Sequence, residues 1–344
     1  MTSQSDPHSK ASSKKSSMVF RATLVLSMMC LSALVAENLN LGIVPTLYPF
    51  SQEKFISKPR ASIMKRSLPN FENGGVVVFN HIAKTGGTTI RENFSKLPNI
   101  EWQFVGGLDD LLEYSKEVDR RLTNKIKDKK ILFLELHGPV PGMFTLHDFV
   151  ERWQKIAEKE GTSFFAFTMV RDPVAYSVSF FNFILAEPCL FNGCPYKTWP
   201  VTEENFIKSA QPNYQCHYMA RDVTWFDFTE KQSIPPLATK YECDAVYNVM
   251  KLDMDWIGTT EKMSTETMPL LTHMLVNEKQ KGPSLETFNE VEKKKPVVIK
   301  TAALQDSTVE YIRAISQYDQ AIYDKAKRDY PIDMWKDLPS TNPA

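Results

Sequence analysis

The stretch NHIAKTGGTT, residues 80–89, gathers a lysine, two glycines and three threonines between an apolar run and a helical one. A glycine-rich turn between a strand and a helix exposes backbone N–H groups at the positive helix end, which suits a phosphate. Gly86 and Gly87 let the backbone approach such an anion, Lys84 adds a mobile charge, and Thr85, Thr88 and Thr89 add hydroxyl donors. The order differs from the common nucleoside-triphosphate loop, in which the lysine follows the last glycine and a Ser or Thr follows the lysine. An ordinary tight turn explains the glycines about equally well, so a second motif has to decide. VRDPVAYSVS supplies it: Arg171 closes an apolar run, and Ser179 lies eight positions on. A guanidinium fork and a hydroxyl can grip one phosphate from two sides. His137 closes another apolar run, and an imidazole suits proton abstraction at neutral pH. Glu135, two residues earlier, shares its side of the strand and can orient the imidazole or serve as base itself.

These residues need a frame, and the pattern around them gives one. GVVVFN (75–80), KILFLELHG (130–138) and SFFAFTMV (163–170) read as strands buried on both faces. Helices are expected over 87–96, over LDDLLEYSKEVDRRL and over TLHDFVERWQKIAEK, where Thr145 and Asp148 have capping-box spacing. Another helix, DPVAYSVSFFNFIL, has Asp172 as N-cap and Pro173 at its first position. The alternation predicts an α/β fold with a central parallel sheet and helices on both faces. Ligands bind such sheets past the carboxyl ends of the strands, where HIAKTGG, HGPVPG and RDP all fall. Later in the chain, DWIGTTEKM reads as a strand ending in a turn, followed by a helix to about Val276. DSTVEYIRAISQYDQAIYDKAKRDY reads as one closing helix with a Ser307–Glu310 capping box.

The 41 basic and 41 acidic residues cancel, so no global charge argues for nucleic acid, and an anionic ligand needs a local patch. The basic runs KIKDKK (125–130) and EKKKP (292–296) read first as solvated charge, and either could grip an anionic chain. No His/Cys/carboxylate cluster has metal-ligand spacing, so no metal is expected. The N-terminus is of different composition. A basic tail (1–17) precedes an uncharged run over 22–36 that spans only ~22 Å as a helix, against roughly 27 Å for a thin bilayer. Its flanks favour an uncleaved signal anchor (18–36) over a cleaved signal peptide. A Pro-interrupted stem (37–70), a lumenal domain (71–335) and a short tail (336–344) follow. Cys30 sits in the anchor; Cys189, Cys194, Cys216 and Cys243 are an even set that implies two disulfides in one of three connectivities. CLFNGC makes Cys189–Cys194 the easiest loop to close. Asn93-Phe94-Ser95 is an N-glycosylation acceptor placed awkwardly at the helix after the loop.

Lys84-Thr85-Gly86-Gly87-Thr88-Thr89 after a buried strand resembles the 5′-phosphosulfate loop of sulfotransferases that use 3′-phosphoadenosine 5′-phosphosulfate. Arg171-Asp172-Pro173 with Ser179 is similar to their 3′-phosphate motif, and NHIAKTGGTT most resembles the heparan sulfate 6-O branch, with the 2-O branch more distant. WIGTTEKM and YDQAIYDKAKRDY resemble late blocks of the same families. The resemblance implies a P-loop-like three-layer fold, that nucleotide as co-substrate without a metal, and a glycan or polysaccharide acceptor. It implies a single-pass Golgi membrane protein with its catalytic domain in the lumen. Lys84 then balances charge on the leaving oxygen, the loop from Thr85 to Thr89 holds the 5′-phosphate, Arg171 and Ser179 select the 3′-phosphate, and His137 stands where the family has its catalytic histidine. Two positions depart from the pattern: Pro139 stands where the 2-O branch repeats a histidine, and Tyr176 where the family often has arginine. His81 and His147 read as structural and surface histidines, and His217 and His273 have no evident partner. Two other readings compete. One is a P-loop kinase, with ILFLE as its metal-binding strand end; the other is an inactive, membrane-anchored glycan-binding protein on the same fold.

Overall fold

A computed structural model describes residues 66–123, 129–137, 142–187, 198–220, 238–276, 298–336 and 338. The anchor, most of the stem, Cys189, Cys194, Pro139 and the EKKKP run lie outside them. Among the described residues no helix is long and apolar enough to cross a membrane.

Five parallel strands form the sheet: β1 Gly75–Asn80, β2 Ile100–Val105, β3 Ile131–Leu136, β4 Phe164–Val170 and β5 Trp256–Thr259, in the order β2-β3-β1-β4-β5. β1 and β3 are buried at every position because both have strand neighbours and helices above and below. The chain first crosses from β1 outward to β2 and then returns through β3 to β4 and β5, and right-handed crossovers in these opposite directions put helices on both faces. On one face lies α1 (Gly87–Phe94), whose Arg91 reaches Glu135 of β3. On the other lie α2 (Leu108–Thr123) and α3 (Met143–Glu160), where Met143 sulfur accepts from the Asn80 amide. α4 (Pro173–Phe180) starts as expected, with the Asp172 carboxylate accepting from the Val174 and Ala175 amides. Its continuation, Phe181–Leu185, widens into a π-helical turn.

Several elements differ from expectation. β2 is an edge strand whose Glu101 and Gln103 break the apolar run, so composition conceals it. α3 begins at Met143 after Gly142, before Thr145, because Met143 is drawn under β1; the capping box does not form. Three further helices follow: α5 (Glu203–Ser209), α6 (Tyr214–Ala220) and α7 (Lys240–Asp253), the last with a complete Thr239–Glu242 capping box. α8 (Met268–Leu275) follows β5 after a 3₁₀ turn and a π turn.

The closing helix is two helices, α9 (Asp306–Ile315) and α10 (Gln317–Asp329), broken at buried Ser316. Asn213 makes the break: its Oδ1 accepts from the Tyr318 and Asp319 amides at the start of α10. α9 starts without a side-chain cap, so the Ser307–Glu310 box does not form.

Cys216 of α6 and Cys243 of α7 form a disulfide. A cross-link 27 residues apart constrains the unfolded chain by about 3.5 kcal/mol in the loop-closure picture. The Cys216→Ala/Cys243→Ala chain should lose about that much stability, read as a lower guanidinium midpoint.

Candidate active site

The order β3-β1-β4 sets three carboxyl ends side by side: His137 after β3, the turn 81–86 after β1, and Arg171 after β4. The turn closes on Ile82, whose carbonyl accepts both the Thr85 amide at 3.3 Å and the Thr85 hydroxyl at 2.7 Å. Thr85 is buried, its hydroxyl donating within the turn. The backbone turns left-handed at Lys84 (φ 65°) and at Gly86 (φ 97°). The left-handed form is open to glycine but strained for lysine. Gly87 answers a different demand: a Cβ there would sit 2.1 Å from the His81 ring. The glycine lets α1 begin directly on that imidazole. The first turn of α1 has no side-chain cap and no acidic residue, so its positive end keeps its charge for a ligand. Thr88 is exposed there and Thr89 half-buried.

Lys84 and Arg171 meet through the loop backbone. Arg171 Nη1 donates to the Lys84 carbonyl at 3.1 Å, and Thr260 Oγ1 donates to the Thr85 carbonyl at 3.0 Å. The Lys84 ammonium lies 3.7 Å from the centre of the Phe183 ring. Cation–π contact holds the charge without neutralising it. Ser179 is on α4 and partly exposed; among the described residues it makes no hydrogen bond to Arg171 or to the loop.

His137 extends the β3 pairing, its amide donating to the Val105 carbonyl. Its Nδ1 lies 3.1 Å from the His81 carbonyl. A carbonyl only accepts, so Nδ1 carries the proton and Nε2 the lone pair. The two imidazoles stack at 4.0 Å between centres. Burial first, and His81 second, push the His137 imidazole down to about 3, so it is neutral at physiological pH. Glu135 does not touch His137. Its oxygens accept from His81 Nδ1 at 2.8 Å, Arg91 Nε at 2.7 Å, Arg91 Nη2 and Trp102 Nε1 at 3.2 Å. Burial alone would raise this carboxyl, but the His81 and Arg91 hydrogen bonds outweigh it and hold the group at about 2. A carboxylate so engaged is a poor base, and the imidazole it orients is His81. His81, read as structural, is so: it is buried one residue past β1 and paired with Glu135 of β3.

The other histidines sort by contact. His147, expected at the surface, is part-buried and pairs with Asp253 at 2.7 Å, which joins α3 to α7 and raises the imidazole. His217 is buried and accepts from the Ala238 amide. Tyr176 is buried against Phe180 and Tyr214. Asn93 donates to the Thr89 carbonyl and is buried, so the folded chain does not present this glycosylation acceptor.

A 2-3-1-4-5 parallel sheet with a glycine-rich turn between the first strand and α1 makes this a P-loop-like α/β protein, with a guanidinium and a neutral imidazole beside the turn. The family model described as the sulfotransferase family matches residues 71–330, about three quarters of the chain; the chain belongs to that family and is a transferase of sulfo groups. No curated protein matches it.

The two glycines differ in what they tolerate. Gly87→Ala should cost about 3 kcal/mol, because the methyl must displace His81. Gly86→Ala should cost about 1–2 kcal/mol from backbone strain, its Cβ meeting only the flexible Met263 tip. Urea unfolding of the two variants checks the order.

Proposed function

We propose that the protein is an O-sulfotransferase that moves a sulfuryl group from 3′-phosphoadenosine 5′-phosphosulfate to a glycan hydroxyl. The observation that carries this reading is the pair of backbone contacts at the adjoining strand ends. Arg171 bonds to the Lys84 carbonyl and His137 to the His81 carbonyl, which ties both side chains to the one anion-binding turn. The donor supplies an activated sulfuryl group with an anionic leaving oxygen. The amides of the loop and of the first α1 turn, with Thr88 and Thr89, hold the 5′-phosphate. Arg171, joined by Ser179, holds the 3′-phosphate. Lys84 offsets the charge that collects on the leaving oxygen. His137 takes the acceptor hydroxyl proton at Nε2 as the new S–O bond forms and the old one breaks. Phe104 supports a sugar acceptor: it is 48% exposed and stands edge-on to His137, a ring on which the apolar face of a pyranose can rest. The uncharged run at 22–36 acts as anchor, with the domain in the Golgi lumen; the Cys216–Cys243 disulfide agrees with an oxidising compartment.

Calorimetry on the full chain tests the donor. Tight binding of 3′-phosphoadenosine 5′-phosphate, weakened about a hundredfold in Arg171→Ala, is expected. Preference for ADP with Mg²⁺ would move the protein to phosphoryl transfer, and binding of neither would favour an inactive glycan-binding protein.

The base has its own signature. An imidazole lowered to about 3 stays deprotonated as pH falls through 6.5. With a glycan acceptor, kcat/KM should therefore hold level from pH 8 to about 5 and fall only below that, and His137→Ala should abolish turnover. Turnover that survives His137→Ala would remove His137 as base, and faster turnover of a sugar-free acceptor would remove the glycan.

A further inference from the structure

Arg171 is the first residue beyond β4, where ladder pairing stops: β4 meets β5 last at Val170–Thr259 and β1 last at Thr168–Asn80. A side chain takes over from the sheet. The Gln215 amide accepts from the Arg171 N–H at 2.9 Å and donates to the Arg171 carbonyl at 2.8 Å. The two bonds copy what a neighbouring strand would offer. Gln215 is 2% exposed and is itself fixed. Its own amide donates to Asp319 Oδ2 at 2.9 Å, and the next amide, of Cys216, to Asp319 Oδ1 at 2.7 Å. Cys216 is bound to Cys243. One residue past Arg171, the Asp172 amide donates to Glu261 at 3.1 Å. The backbone is thus held on both sides of the guanidinium, while the guanidinium itself rests on the Lys84 carbonyl.

We propose that Gln215 is a positioning residue that aims Arg171 at the 3′-phosphate of the donor and so sets selectivity for a 3′-phosphorylated nucleotide. This rests on the donor reading above. Gln215 touches no ligand in this account; it acts by fixing the Arg171 backbone, from which a long side chain must reach one phosphate. A residue that merely supports the fold would, when lost, weaken every nucleotide alike. A positioning residue weakens only the one whose 3′-phosphate Arg171 must meet.

The test is calorimetry on the full chain with 3′-phosphoadenosine 5′-phosphate and with adenosine 5′-phosphate. Gln215→Met keeps length and removes both bonds. It should bind the 3′-phosphorylated nucleotide about tenfold more weakly and adenosine 5′-phosphate as the wild type does. If that chain does not fold, Gln215→Asn, one methylene too short to make both bonds, should give the same selective loss. An unchanged ratio of the two affinities, or an equal fall in both, overturns the proposal. A wild-type chain with no preference for the 3′-phosphorylated nucleotide overturns the donor reading, whereas a preference that survives both variants overturns only the role of Gln215.

Discussion

Glu135 is a carboxylate with no exposure to solvent, and donors from three other parts of the chain converge on it. Isolated, such a charge would be expelled or protonated; with Arg91, His81 and Trp102 around it, the anion is stable and the three donors are pinned. Trp102 ties in the edge strand β2, Arg91 ties α1 to the sheet, and His81 is turned so that Nδ1 faces the carboxylate. Removing the Arg91 partner would leave a buried carboxylate without its counter-charge, which is destabilising. The consequences run outward. A fixed His81 ring requires a glycine at 87, so α1 can start only where the loop has given up its side chain. A fixed His81 carbonyl sets the tautomer of His137. One carboxylate therefore places both the start of α1 and the neutral imidazole.

The same packing explains the charge state of the site. Two stacked, buried imidazoles cannot both charge, and desolvation keeps each neutral. The positive groups are the ones kept at the rim: Lys84 over Phe183, Arg171 on the loop carbonyl, and the uncapped start of α1. A chain with no net charge can thus still present a local positive field, with a neutral imidazole beside it.

What could be read from the sequence was what is encoded locally. Three apolar runs specify β1, β3 and β4 because strands buried on both faces need no alternation. Asp172-Pro173 announces α4 because a cap is a contact across two or three residues. The family motifs around Lys84 and Arg171 are likewise short. β2 was hidden because an edge strand keeps polar residues on one side. The expected boxes at Thr145 and Ser307 did not form because tertiary packing chose where those helices start. Thr239–Glu242 was legible and went unread.

The supports of the site, by contrast, are long-range. Glu135 reaches 54 residues back to His81, Gln215 reaches 44 to Arg171, and Asp319 reaches 104 to Gln215. None of these residues carries a motif, since an amide or carboxylate that pins a backbone needs only the right place in space. Asp319 also shows why the closing helix had to break. A continuous helix through Ser316 would leave no terminus for Asn213 to cap, and it is that cap which sets the start of α10. Asp319 lies in its first turn, where its carboxylate meets the amides of α6. The residues that name the chemistry lie in the first half of the chain, and the residues that hold Arg171 in place come from its later part. A close match to the motifs alone would leave the loops without the scaffold that gives them geometry.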